Sequence, residues 1–212
     1  MNIHVQTLNA GGRLTKLRHT IEEASRLAIA HVTEYIPVDN VDIIFYDHPQ
    51  RAIEHLGFGG YSLTDNLVMI PVNPKFRNLE IRLKEKFVRT LSHELYHCLR
   101  HYTYAKRHTL FESLMNEGLA DHFDIEINKS EPEKWDTALD KTQIEEWTNR
   151  AKEEFNSYDY NHQAWFLGSK IRNIPHWTGY SIGFSIVGKY LQKHPDKKPS
   201  HLYNVEAKEF IE

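Results

Sequence analysis

The sequence has only one cysteine, Cys98, so no disulfide bond can form within the chain. This excludes a small secreted domain held together by disulfides, and we expect a reducing compartment. Long apolar runs are also missing. No stretch approaches the roughly 18 apolar residues of a membrane-spanning helix, and the N-terminal segment MNIHVQTLNAGGRL lacks the basic and apolar parts of a signal peptide. We therefore expect a cytoplasmic chain with no membrane partner.

The sequence also lacks a strong charge of one sign. Its formal net charge is −3, from 26 basic and 29 acidic residues that are interspersed along the chain. This balance does not indicate nucleic acid or an anionic membrane as a partner, and neither is expected. The length of 212 residues predicts one domain, 1–212, with an N-terminal α/β lobe over about 1–105 and a helical C-terminal lobe over about 106–212. The oligomeric state is left open.

The spacing of apolar residues predicts an α+β fold, because strands gather in the first half and helices in the second. Period-2 alternation predicts strands, and recurrence every three or four residues predicts helices. Two S/T-x-x-E boxes, at Ser130 and Thr142, predict two further helix starts. Pro71 and Pro74 flank the end of the second hairpin strand and predict that it is an edge strand. The strands expected are 41–46 and a hairpin of 61–64 and 67–72, and the main helices are about 13–36, 78–102, 109–124 and 178–193.

The central motif is HELYH at 93–97, inside a strongly helical segment. Residues four apart share one helix face, with Cβ atoms about 5–6 Å apart, so His93 and His97 can converge on one Zn²⁺. Glu94 lies about 100° around the helix from His93. It is placed to reach a water in the open coordination position and to act as its general base.

A second motif, LMNEGLADHF, occupies 114–123 on the next predicted helix. Glu117 follows His97 by 20 residues, enough for a turn and an antiparallel return, so its carboxylate can supply the third protein ligand. Asp121 lies one helical turn later, where it can accept the second ring N–H of a ligand histidine. Asn116 is grouped with Asp121 around the ligands. The sequence thus predicts one zinc ion per chain.

These residues resemble the gluzincins, metallopeptidases with HExxH on one helix and a glutamate, often in an NExxAD-like motif, on the next. Asn116, Glu117 and Asp121 match that second motif. Over most of the chain the sequence also resembles one bacterial family labelled as predicted zinc-dependent proteases. The stretches that carry this resemblance are FYDHP at 45–49, GGYS at 59–62, HELYHCLRH, NEGLADHF at 116–123, the AWFLGS region and HWTGYSIGFSIVGKYL at 176–191.

The resemblance implies a zincin-like fold and hydrolysis of a peptide or protein substrate. Gluzincins commonly stabilise the oxyanion with a Tyr or His from the C-terminal lobe, and Tyr180 and His176 are the candidates here; the alternative is that Tyr180 is a core aromatic residue. In zincins an edge strand above the metal often binds an extended peptide. The candidate strand is the second one of the hairpin, whose alternative role is plain packing on the helix; its substrate-binding residues would be Leu67, Val68, Met69 and Ile70.

Two alternatives without catalysis stay open. One is a zinc-binding or scaffold protein with a relic site, and the other is a regulatory module that holds a peptide without cutting it. Glu94 disfavours the first, because a structural site needs no general base and usually has four protein ligands. Among the other residues, His162 lines the cleft or caps a helix, Gly179 and Gly183 permit close helix packing, and Cys98 is a buried small hydrophobe.

Overall fold

The computed structural model describes residues 2–211 and divides into two compact units, Met1–Lys106 and Arg107–Glu212. The first unit contains a four-stranded sheet with two long helices, and the second is mainly helical. The predicted α+β class is therefore confirmed. The prediction that the two lobes form a single domain stays a prediction. None of the helices described between residues 2 and 211 is long and apolar enough to cross a membrane.

The sheet is mixed. Its strands are β1 (Ile3–Leu8), β2 (Val41–Asp47), β3 (Tyr61–Thr64) and β4 (Leu67–Val72), in the order β1-β2-β4-β3. Strand β2 pairs in parallel with β1 and β4, whereas β3 pairs antiparallel to β4 across the predicted hairpin turn. The alternation on β2 buries Val41, Ile43 and Phe45 on one face, as predicted. Strand β1 was not predicted; its residues alternate between half-buried and exposed, and none of them is fully buried.

The edge-strand prediction for Leu67–Val72 is wrong. Strand β4 lies inside the sheet, with β2 on one side and β3 on the other. Pro71 is compatible with this position because it lies near the end of β4. Its carbonyl oxygen is the hydrogen-bonding group used there, and it accepts from the Gly59 N–H at 3.0 Å. The edge strand on this side is β3.

Two helices complete the first unit, α1 (Arg18–Thr33) and α2 (Leu79–Leu99), and they pack on each other. Helix α1 connects the parallel strands β1 and β2, as a crossover must. The apolar spacing predicted one buried face for this segment, and its members are buried except Tyr35, which lies beyond the end of α1 and is 39% exposed. The predicted face consisted of Leu14, Leu17, Ile21, Ala24, Ala28, Val32 and Tyr35. Helix α2 buries a row of residues four apart: Leu79, Leu83, Phe87, Leu91 and Leu95.

The second unit has four helices among its described residues: α3 (Leu110–Asn128), α4 (Lys141–Lys152), α5 (His162–Leu167) and α6 (Thr178–Lys193). Helix α3 begins with a capping box between Thr109 and Glu112. The box predicted at Ser130 is wrong, because no helix starts there. Helix α4 uses Asp140 with Gln143 rather than Thr142, since an aspartate caps the N-terminal amides as well as a hydroxyl does.

Glycines allow α3 and α6 to approach backbone to backbone. A Cβ atom at Gly183 would lie 2.1 Å from the carbonyl oxygen of Leu114, and one at Gly118 would lie 2.4 Å from the carbonyl group of Gly183. No larger residue fits at these distances. The prediction that Gly183 serves close helix packing is therefore confirmed, and this packing fixes the part of α3 that carries Glu117.

Gly183→Ala is expected to lower the free energy of unfolding by about 3 kcal/mol, because the helices must separate to admit a methyl group. Gly188→Ala on the same helix is the matched control. Its Cβ would approach no closer than 3.4 Å, to Nε2 of His122, and alanine is favoured over glycine in a helix by up to about 1 kcal/mol. Denaturant unfolding measures both variants, and equal stabilities would contradict the close packing.

Candidate metal centre

His93 and His97 lie one turn apart on α2, and their Nε2 atoms approach each other. Their Nε2 atoms are 2.8 Å apart, and their ring centroids are 4.4 Å apart at an interplanar angle of 89°. Two nitrogens on a tetrahedral zinc ion with bonds of roughly 2.0–2.1 Å are about 3.3 Å apart. The pair therefore fits one ion after a shift of about 0.5 Å.

Glu117 supplies a carboxylate from α3. The residue is buried, with 7% of its surface exposed, which is rare for a glutamate without a specific partner. One ligand atom from each of His93, His97 and Glu117 lies within 4.8 Å of the other two. Two imidazole nitrogens and one carboxylate oxygen form the ligand set of a catalytic zinc site, which leaves a fourth position for water. These donors fit a single divalent ion.

Glu94 is held by a residue that the sequence analysis missed. The Oγ of Ser62, on β3, lies 2.9 Å from Oε2 of the buried Glu94 carboxylate and 2.8 Å from the Glu94 backbone oxygen. The Cys98 thiol lies 3.7 Å from the same Oγ and can donate to it. The Ser62 hydroxyl has one proton to donate to Glu94, and the carboxylate is a stronger acceptor than the backbone oxygen. Oε1 of Glu94 is left as the oxygen available for a proton.

Gly60 makes room for the Glu94 side chain. A Cβ atom at this position would lie 2.7 Å from Cγ and 3.0 Å from Oε1 of Glu94. Gly60 and Ser62 both belong to the GGYS stretch, which was noted only as part of the resemblance. No local periodicity assigns them to the site, because they meet Glu94 only through the packing of β3 on α2.

For the zinc-dependent peptide hydrolysis expected from the sequence, Ser62→Ala should lower kcat about 10-fold and leave zinc binding unchanged, because it removes one hydrogen bond that orients the Glu94 carboxylate. Thr64→Ala is the control on the same strand, since the Thr64 hydroxyl contacts Asn66 in the turn at 2.7 Å. Steady-state kinetics and elemental analysis of both variants provide the comparison. A Ser62→Ala variant as active as Thr64→Ala would remove Ser62 from the site.

Cys98 is buried, as predicted, and burial raises the pKa of its thiol to about 12. The hydrogen bond with Ser62 opposes this rise. A thiol with so high a pKa is protonated at neutral pH and is a poor metal ligand or nucleophile. Its contribution to the site is the contact with Ser62.

Two further residues of α3 were predicted around the ligands. Asp121 is buried, and its Oδ1 lies 3.4 Å from the indole Nε1–H of Trp135, which donates to it. Asn116 is also buried and donates from Nδ2 to the backbone oxygen of Glu112 at 2.7 Å. The predicted role of Asp121, accepting a proton of a ligand histidine, stays a prediction.

The two residues predicted to stabilise the oxyanion lie close together in sequence but differ in environment. Tyr180 is half-buried on α6, with its ring edge against Phe166 at a centroid distance of 5.0 Å. His176 precedes α6, is exposed, and stacks on the ring of Trp177 at 4.3 Å. Their catalytic roles stay predictions.

The predicted peptide-binding strand is unavailable for strand addition. Because β4 is internal, the backbone of Leu67, Val68, Met69 and Ile70 already pairs with β2, and its other side faces β3. The outer strand β3 is also partly covered. The amides of Tyr104 and Ala105 donate to the carbonyl oxygens of Ser62 and Leu63 at 2.9 and 3.1 Å.

The α+β fold and these three candidate ligands define a candidate mononuclear metal centre, with the Glu94 carboxylate next to His93 along α2. The chain belongs to the family described as "Predicted Zn-dependent protease (DUF2268)", whose model matches residues 18–212. This match confirms the family resemblance of the sequence. No curated protein and no solved structure matches the chain.

Proposed function

We propose that this protein is a zinc-dependent peptidase that holds one Zn²⁺ with His93, His97 and Glu117. The observation that carries the proposal is the convergence of one ligand atom from each of these residues within 4.8 Å. The family description points to the same class of enzyme. A peptide or protein is the proposed substrate.

The intact general base favours catalysis over a structural role for the metal. Glu94 follows His93 directly, and Ser62 holds one of its oxygens while leaving the other available. Three protein ligands leave a coordination position open, whereas a structural zinc site is closed by four. Zinc bound in this way would polarise a peptide carbonyl and lower the pKa of water.

The protein's own residues carry the proton. As water attacks the scissile carbonyl carbon, Oε1 of Glu94 takes one of its protons. The same proton passes to the leaving amine nitrogen as the C–N bond breaks, which restores the carboxylate. The hydrogen bond from Ser62 to Oε2 keeps the carboxylate in one orientation through both steps. Tyr180 and His176 are the sequence-based candidates for stabilising the oxyanion.

A peptide library digested with the purified protein and analysed by mass spectrometry tests the proposal. We expect cleavage that stops on treatment with a zinc chelator and returns on addition of zinc, together with about one zinc per chain by elemental analysis. Bound zinc without any cleavage would favour the non-catalytic zinc- and peptide-binding alternative. Cleavage that survives complete removal of the metal would contradict the proposal.

A further inference from the structure

Three side chains of the second unit form a hydrogen-bonded line that the sequence analysis did not identify. The Oγ of Ser113 lies 2.6 Å from Oη of Tyr160, and the same Oη lies 2.9 Å from Nδ1 of His162. Ser113 is on α3, Tyr160 is in the loop before α5, and His162 is the first residue of α5. The line joins the helix that carries Glu117 to a histidine outside the ligand set.

The line starts on the face of α3 that carries Glu117. Ser113 precedes Glu117 by four residues, so the two side chains lie one turn apart on one face. The pKa of Tyr160 is raised to about 12, mainly by burial. The hydrogen bond with Ser113 opposes this rise, and the Glu117 carboxylate adds to it. Tyr160 is therefore within electrostatic reach of that carboxylate.

The His162 ring is held in one orientation. Its face stacks on Phe166, one turn later on α5, at a centroid distance of 4.4 Å and an angle of 22°. The start of α5 is fixed by Asn161, whose Oδ1 accepts from the Ala164 N–H at 2.9 Å. His162 is an exposed residue, but the surrounding protein still lowers the pKa of its ring by desolvation, and Glu117 partly offsets this. The neutral imidazole is thus favoured.

The direction of the hydrogen bonds determines which ring nitrogen carries the proton. A phenol is a stronger donor than an aliphatic hydroxyl, and an imidazole nitrogen is a stronger acceptor than a hydroxyl oxygen. Across these two contacts we therefore expect Tyr160 to donate to Nδ1 of His162 and Ser113 to donate to the Tyr160 oxygen. With Nδ1 as the acceptor, the single proton of the neutral ring is on Nε2, at the opposite edge of the ring.

We propose that His162 is the electrophile of the peptidase, donating from Nε2–H to the oxyanion of the tetrahedral intermediate, and that Tyr160 and Ser113 position it. The inference rests on the proposed function. The hydrogen bond forms as negative charge develops on the former carbonyl oxygen, and the proton stays on Nε2. Such a donor stabilises the transition state more than the bound substrate, so it acts on kcat rather than on KM.

Kinetics of single variants test this role. His162→Ala is expected to lower kcat about 10²-fold, to change KM by less than about 3-fold, and to weaken binding of a phosphinic peptide transition-state analogue about 10²-fold. His162→Gln, which keeps a donor, should retain more activity than His162→Ala. Tyr160→Phe should lower kcat about 10-fold, because the His162 ring keeps a donor nitrogen but is no longer held in one tautomer. Gln163→Ala, at the exposed neighbouring residue, is the control.

A second readout does not depend on activity. In the metal-free wild-type protein, the ¹⁵N chemical shifts of His162 should report a proton on Nε2, and Tyr160→Phe should yield a mixture of tautomers. A proton on Nδ1 in the wild type would overturn the proposal. An active wild type with an equally active His162→Ala would also overturn it. A 10²-fold loss of kcat in Tyr180→Phe or His176→Ala, without a comparable loss in His162→Ala, would do the same. A wild type that cleaves no peptide would overturn the proposed function itself and the role of His162 with it.

Discussion

Glu94→Gln is expected to lower kcat for peptide hydrolysis about 10³-fold while zinc remains bound. Glutamine has nearly the same size as glutamate and still accepts the Ser62 hydrogen bond, but its amide cannot take a proton from water. The fold should be unaffected, because glutamine fits the space that Gly60 leaves beside the Glu94 side chain. KM should change little, since the lost interaction belongs to the transition state.

Steady-state kinetics on a cleaved library peptide measure the effect, with elemental analysis of the same preparation. Glu85→Gln is the matched control, because Glu85 lies on the same helix, is exposed, and pairs only at 3.7 Å with Arg82 among the described ion pairs. Equal kcat values for the wild type and Glu94→Gln would show that cleavage arises elsewhere, for example from a contaminating protease.

Glu117→Gln is expected to weaken zinc binding by more than about 10²-fold. Loss of a residue that merely orients a zinc ligand costs 10- to 100-fold, and Glu117 is proposed as a ligand itself. Glutamine keeps the volume of the buried side chain, so any loss of zinc reflects the missing charge rather than a cavity. His97→Ala should have the same effect on zinc with an added loss of packing.

Thermal unfolding with and without zinc gives a second measure of binding. A ligand at about 100 times its Kd stabilises the folded state by about 2.7 kcal/mol, and this gain should be absent in Glu117→Gln. Exposed residues on other helices serve as controls, namely Glu145→Gln on α4 and His19→Gln on α1. Full zinc occupancy in Glu117→Gln would move the third ligand to another residue.

The parts of the site that were predicted from the sequence are those with local spacing. His93, Glu94 and His97 are within five residues of each other, and the geometry of one helix relates them. Glu117 and Asp121 are likewise related by one turn of α3. Helices α1, α2, α3 and α6 were predicted because their apolar residues repeat at three or four, and α6 spans the residues expected.

Residues that meet through long-range packing were missed. Ser62 and Gly60 contact Glu94 from a strand and loop more than thirty residues away. Tyr160 reaches Ser113 across 47 residues of sequence. Nothing in the spacing of these residues distinguishes them from ordinary loop residues. The role of a hydroxyl group or a glycine depends on the side chain that packs against it in the folded structure.

The order of the strands was misjudged for a similar reason. Proline near the end of β4 indicated an edge, because proline donates no hydrogen bond. Only the pairing with β2 shows that this strand is internal and that Pro71 uses its carbonyl instead.

By itself, the sequence determined the fold class and the helix that carries the two histidines, and it named Glu94 as the candidate base, because each follows from periodicity within one segment. Only the tertiary structure decided which strand lies at the edge, what holds the Glu94 carboxylate and which histidine comes within electrostatic reach of Glu117. Those features depend on contacts between segments distant along the chain, and such contacts are set by the packing of the whole core rather than by any local pattern.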